Sequence, residues 1–135
     1  MTQTNPPWTE GAHHVGLTVP DLPAARAFFL DGLGYEVVGE KPDYPAVFVS
    51  DGATMVTLWQ AEADPVAFDR RQNLGLHHLA IRVAPGRLDD LHARLRSRDD
   101  VAIEFAPESL GDGPTRHMMT RGPGGLRLEF IAPAA

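Results

Sequence analysis

No cysteine occurs among the 135 residues, which removes disulfides, thiolate metal sites and a cysteine nucleophile together. Any metal site must then be built from histidine and carboxylate. No apolar run approaches the roughly 18 residues that a membrane span needs. The opening MTQTNPPWTE lacks the basic and apolar regions of a secretory leader, so a cytoplasmic protein with no membrane partner is expected. Positive charge is scarce: 12 Lys and Arg stand against 18 Asp and Glu, for a net charge of −6, and no basic cluster is longer than Arg70-Arg71. A nucleic-acid partner needs a basic face, so that class is disfavoured. The length suits one domain with a real core.

Histidine is present in a pattern. Four of the six histidines fall in two similar stretches, GAHHVGLTV from Gly11 and GLHHLAIRV from Gly75. After residues 1–10, a polar arm, Val15, Leu17 and Val19 alternate as in a half-buried strand. PDLPAARAFFLDGLGY then reads as a helix. Asp21 is its N-cap, Pro23 lies in the first turn, Phe28 and Phe29 are on its buried face, and Gly32 and Gly34 stop it. Strand patterns follow at Tyr35 to Val38, Ala46 to Val49 and Met55 to Gln60, with a hairpin signal at Asp51-Gly52. After a linker over 61–74 the order restarts. A strand carries Leu79, Ile81 and Val83, a helix carries Leu88, Leu91 and Leu95, and strands follow at Val101 to Phe105, His117 to Arg121 and Leu126 to Ile131. The single domain, residues 1–135, is thus a duplication of a βαβββ module, spanning 12–60 and 75–132. The fold class is α+β, with a curled mixed sheet around a cleft and the helices outside.

Strand parity sorts the side chains. Val15, Leu17 and Val19 in one module, and Leu79, Ile81 and Val83 in the other, form helix-facing stripes. His14 and His78 therefore face the cleft, while His13 and His77 are edge or interface residues. In LRLEFI the same parity sends Leu126, Leu128 and Phe130 to the helix and Glu129 to the cleft. A glutamate within so apolar a strand needs a partner or a cation. His14, His78 and Glu129 make a 2-His-1-carboxylate set, suited to Fe, Mn, Ni or Zn as divalent ions, with positions open for substrate. Thr57 occupies the position in the first module that Glu129 holds in the second. Gln60 offers an amide oxygen, but parity puts it on the other face unless a bulge intervenes. His117 shares the cleft face with Met119 and Arg121, as an acid-base or substrate-contacting group. Met55, Trp59 and Met119 form a candidate apolar substrate wall. Arg70-Arg71 could grip an anion, and Arg82 or Arg127 could simply neutralise Glu129.

The residues HVGLTVPDLPAARAFFLDGLGY, LHHLAIRV and GPGGLRLEFI resemble, in order and spacing, the vicinal oxygen chelate superfamily. That group includes glyoxalase I, bleomycin and fosfomycin resistance proteins, extradiol dioxygenases and methylmalonyl-CoA epimerase. The resemblance implies paired modules around a metal and a homodimer with sites at its interface, where His14 of one subunit joins His78 and Glu129 of the other. It implies a metal-dependent lyase, isomerase or dioxygenase that binds neighbouring oxygens of a small-molecule substrate; Glu129 and, from strand parity alone, His117 are the candidate catalytic groups. Thr57, Trp59, Met55, Met119 and Arg121 would bind substrate. Glyoxalase I proper is disfavoured, because Thr57 stands where that enzyme has a second glutamate. The competing reading is a metal-free sequestering protein of the bleomycin-resistance kind.

Overall fold

A computed structural model describes residues 5–134. The first module runs β1 (His14–Val19), α1 (Leu22–Ala27), a wide π turn (Phe28–Gly32), β2 (Glu36–Lys41), β3 (Ala46–Ser50) and β4 (Met55–Gln60). The second runs β5 (Leu79–Arg82), α2 (Leu88–Arg96), β6 (Ala102–Ser109), β7 (Arg116–Arg121), a short 3₁₀ turn (Pro123–Gly125) and β8 (Arg127–Ala132). The strands form two four-stranded mixed sheets, ordered β1-β4-β3-β2 and β5-β8-β7-β6. In each sheet the first strand pairs in parallel with the last, because the helix carries the chain back over one face. The duplication and the α+β class expected from the sequence are present, and the residues between β4 and β5 contain no strand or helix.

Each sheet buries one face. Leu17, Val19, Val56 and Leu58 in the first sheet, and Met118, Leu128 and Phe130 in the second, join Phe28, Phe29, Leu88 and Leu95 in a common core. Asp21 caps α1, its carboxylate accepting from Ala24 N at 3.1 Å. The helix runs past the point where regular α spacing would hold and widens into the π turn, which buries both phenylalanines. Gly32 is buried within that turn, and Gly34, at φ +80°, makes the reversal.

The modules meet through their helical sides. Arg94 of α2 donates to the carbonyls of Gly32 at 3.0 Å and Asp31 at 2.6 Å, placing a cation on the open end of the π turn. Gly124 lies so close to Pro20 that a Cβ there would sit 2.5 Å from its ring. The opposite faces of both sheets are left open, and they carry His14, His117 and Glu129.

β6 departs most from its sequence pattern. It extends to Ser109, through residues that read as loop, and its pairing with β7 shifts twice, between Ile103 and Phe105 and between Phe105 and Glu108. A bulge puts successive residues on one face. Phe105 therefore turns to the open face, where it packs edge-on against His117 with ring centroids 4.9 Å apart.

Candidate functional site

On the open face of the second sheet, β8 supplies Arg127, Glu129 and Ile131, and β7 sets Arg121, Met119 and His117 directly opposite them. Glu129 is the centre of this grid. Its Oε2 accepts from His117 Nδ1 at 2.6 Å, and its Oε1 lies 3.3 Å from His78 Nε2. The side chains of Glu129 and His117 are each only 12% exposed, whereas that of His78 is 35% exposed. Glu129 therefore takes neither arginine suggested as its bland partner; Arg127 instead forms a forked pair with Glu104, at 2.9 to 3.1 Å.

The doubled histidines have a structural purpose. In both copies the Nδ1 atoms of the pair lie 2.9 Å apart, with the rings edge to face. In the second copy Arg127 Nη1 also reaches His77 Nδ1, at 3.3 Å. A guanidinium only donates, so His77 Nδ1 is an acceptor. It follows that His78 Nδ1 carries the proton that bridges the pair. The Nε2 of a neutral His78 is then a bare lone pair, pointed at a carboxylate oxygen. Partial desolvation, followed by the charge of Arg127, holds His77 below the ordinary imidazole pKa, consistent with its acceptor role.

With His78 neutral, two lone-pair atoms face each other at 3.3 Å, an arrangement that a proton on Nε2 or a cation bound beside it relieves. Ligands at about 2.1 Å from one metal, near tetrahedral or octahedral angles, stand about 3.0–3.4 Å apart. The His78–Glu129 pair has this spacing, and its nitrogen and oxygen donors suit borderline divalent metals. His14 is not part of the cluster: it lies exposed on the open face of the other sheet, opposite Met55. No group of three or more His, Cys, Asp or Glu side chains among the described residues is arranged to hold a metal ion.

His117 is placed as a base would be. Donation from Nδ1 to Glu129 leaves the Nε2 of a neutral His117 as an acceptor on the open face, with Glu108 Oε1 3.9 Å away. The second β6 bulge puts Glu108 opposite His117. Neither β6 glutamate stood out in the sequence. Glu104 and Glu108 sit where regular alternation fails, so parity gave no reason to single them out.

In the first sheet, Met55, Thr57 and Trp59 share the open face with His14. Thr57 is 3% exposed and its hydroxyl is engaged, accepting from Trp59 Nε1 at 2.9 Å and reaching Val15 O at 3.4 Å. The indole, held also by Tyr44 and Phe48, is the larger presented surface. Gly16 makes room for this arrangement: a Cβ there would be 3.1 Å from Thr57 Oγ1. Gln60 points to the helix side, as parity requires. It accepts from Leu22 N at 2.8 Å and donates to Pro20 O at 2.7 Å and Ala61 O at 3.2 Å. It closes the start of α1 and is turned away from the open face. Arg121 reaches Glu104 through Nε at 3.4 Å.

A groove of about 550 Å³ lies between the modules on the helix side, lined by Tyr35, Asp51, Ile81, Arg87 and Arg94 among others. It contains none of His14, His78, His117 and Glu129, which occupy the open sheet faces instead. No helix among the described residues is long and apolar enough to cross a membrane.

Comparison with known proteins agrees with this architecture. The family model described as the Glyoxalase/Bleomycin resistance protein/Dioxygenase superfamily matches residues 11–130. A 2-epi-5-epi-valiolone epimerase from Actinomyces sp is 31% identical over 160 residues, covering 97% of this chain and 84% of the relative. The mitochondrial methylmalonyl-CoA epimerase of Bos taurus is 39% identical over 88 residues, covering 58% of this chain and 50% of the relative. Among solved structures, a glyoxylase/bleomycin resistance protein/dioxygenase domain from a Frankia species superposes with a TM-score of 0.81 at 23% identity, covering 93% of this chain and 99% of that one. A mutant of the fosfomycin resistance protein FosX from Listeria monocytogenes, complexed with Mn(II) and a dihydroxypropylphosphonic acid, superposes with a TM-score of 0.73 at 16% identity, covering 93% and 92%. With repeated βαβββ modules, two mixed sheets and a match along nearly its whole length, this chain belongs to the glyoxalase/bleomycin resistance protein/dioxygenase superfamily.

Proposed function

We propose that this chain is a metal-dependent enzyme that moves a proton at a carbon beside two neighbouring oxygens of a small substrate, as an epimerase or isomerase does. The carrying observation is His78 Nε2 set 3.3 Å from Glu129 Oε1, the spacing of two ligands of one metal, while His117 occupies the other carboxylate oxygen. A sequestering protein has no use for such a pair. The 31% identical epimerase supports the same reaction class.

His78, Glu129 and His14 would hold the divalent ion, with His14 supplied by a second copy of the chain across a dimer interface. When bound, the ion supplies Lewis acidity, which acidifies the adjacent C–H and stabilises negative charge on the substrate oxygens. His117 takes the proton at Nε2. Its Nδ1–H stays on Glu129 Oε2, which fixes the ring and stabilises the imidazolium that forms. Phe105 braces the ring from the side. Met119, and Trp59 of the same second copy that supplies His14, cover the apolar part of the substrate and exclude water. Thr57, already bonded to Trp59, supplies no second carboxylate base, so glyoxalase I chemistry proper is not part of this proposal.

The test is solvent deuterium exchange, followed by proton NMR, on protein loaded in turn with Mn(II), Ni(II), Zn(II) and Fe(II). The substrates are α-hydroxyketones and 2-substituted 3-oxo acids and thioesters. Exchange should exceed that of free metal, and His117→Gln should lower it by about 10²–10⁴-fold while retaining metal. Exchange no faster than with free metal across the panel would refute the reading. Oxygen uptake with catechols by the Fe(II) form would assign the site to ring cleavage instead.

A further inference from the structure

Three arginines on the open face of the second sheet share one carboxylate. Arg121 and Arg127 are directly opposite each other on β7 and β8, a like-charge pairing that is unfavourable unless an anion bridges it. Glu104, beside the first β6 bulge, provides that anion, but incompletely. Arg127 takes both its oxygens through three bonds of 2.9 to 3.1 Å. Arg121 is left at 3.4 Å, through Nε alone, and Arg70, from the inter-module linker, at 4.0 Å. Neither of these outer guanidiniums makes a side-chain hydrogen bond among the described residues. Exposure follows the same division: the side chains of Arg127 and Glu104 are 15% and 16% exposed, those of Arg70 and Arg121 36% and 54%.

We propose that Arg70 and Arg121, braced by the Arg127–Glu104 pair, form a subsite for an oxyanion, a carboxylate or a phosphate, carried by the substrate. One negative charge stands against three positive ones, and the two loosely held heads keep free N–H groups in the fork geometry that grips two oxygens at once. Position ties the subsite to the reaction. Arg127 is two residues from Glu129 on the same strand face, about 7 Å along β8, and Arg121 is two residues from Met119, the cross-strand partner of Glu129. An acidic group held there would lie one small-molecule length from the His78–Glu129 pair. Of the carboxylates near an incoming anion, Glu104 is held by Arg127, Glu129 by His117 and Asp100 by Arg98, while Asp99 lines a shallow depression beside Arg121. Glu108 lies at the far end, beside His117. As a substrate subsite the proposal rests on the proton-transfer reading; as an anion site it does not.

The probes are inorganic phosphate and malonate, each titrated into full-length protein as purified and into the Zn(II)-loaded form at constant ionic strength. The readout is the Nε–Hε NMR resonances of the arginines. The resonances of Arg121 and Arg70 should move with at least one of the two anions, and which one identifies the class of acidic group. Arg121→Gln and Arg70→Gln should each raise the dissociation constant about tenfold, the loss of one charge-assisted contact. Arg71→Gln, in the same linker, should leave it unchanged. Resonances unmoved to about 10 mM of either anion, weaker than the millimolar range, would overturn the subsite, as would an Arg121→Gln variant that titrates like wild type. Anion binding without proton exchange on any substrate would sink the proton-transfer reading and leave the subsite standing. Proton exchange that is equally fast on neutral and acidic substrates, with KM unchanged in Arg121→Gln, would do the reverse.

Discussion

Gln60 separates a structural amide from a metal-binding one, and its removal has a calculable cost. Its side chain makes three hydrogen bonds, accepting from Leu22 N and donating to Pro20 O and Ala61 O. A net contribution near 1 kcal/mol each, discounted because the site is only half-buried and water can replace part of it, gives about 2 kcal/mol for Gln60→Ala. Leu22 N belongs to the first turn of a six-residue helix, too short to persist without its docking and caps. At an unfolding entropy of about 2.1 cal/mol/K per residue over 135 residues, each kcal/mol is worth about 3.5 °C, so Tm should fall by about 7 °C. Urea unfolding followed by far-UV circular dichroism should give the same loss with an unchanged m-value. Zn(II) or Mn(II) affinity should stay within about twofold of wild type, below the 10-fold effects seen for groups that touch a metal's ligands. A variant of unchanged stability, or one that folds normally but loses metal, would refute the assignment of Gln60 to the start of α1.

Other predictions follow from the same geometry. His77→Ala removes the acceptor that fixes the proton on His78 Nδ1 and should weaken Zn(II) binding about 10–100-fold at little cost in Tm; His77→Asn, which retains an acceptor, should recover part of it, as measured by competition with a chelating dye. The hydrogen bonds from Arg127, then the charges of Arg127, Arg70 and Arg121, hold the Glu104 carboxyl below its ordinary value of 4.5. Because the folded-state pKa is depressed, this stabilisation is complete above about pH 4.5 and is lost as pH falls through the folded value; urea midpoints should drop on acidification there, and the drop should be shallower in Glu104→Gln. Gly124→Ala combines a positive φ of 74° with a Cβ 2.5 Å from the Pro20 ring, and should cost about 2 kcal/mol or more in urea unfolding.

Much of this site could be read from the sequence because strands alternate with a period of two. Val15, Leu17 and Val19, and Leu128 with Phe130, are unbroken apolar stripes that assign His14 and Glu129 to the opposite faces from local pattern alone. The same parity turned Gln60 toward the helix, although its capping partners Leu22 and Pro20 are distant in sequence and carry no signal of their own. What parity could not reach lies at its irregularities. The two β6 bulges bring Phe105 and Glu108 against His117 and leave Glu104 with Arg127; Pro107 in AIEFAPES marks the second irregularity, but no residue there marks the first. The pairing of His117 with Glu129 depends on the β7–β8 register and on a diagonal reach across the sheet. The π turn at Phe28 and its capping by Arg94 arise from packing between the modules, which lies beyond any local pattern.

The account depends most on a metal held jointly by His14 of one copy and by His78 and Glu129 of another. The decisive measurement is Mn(II) bound per subunit, by electron paramagnetic resonance, for wild type, His14→Ala, Glu129→Gln and an equimolar refolded mixture of the two variants. Wild type should bind about one ion per subunit and each variant alone almost none. A closed two-fold dimer with shared sites regenerates one intact site in each mixed dimer, so the mixture should recover about a quarter of an ion per subunit. Recovery of nothing in the mixture, or undiminished Mn(II) binding by His14→Ala alone, would contradict the shared three-ligand site.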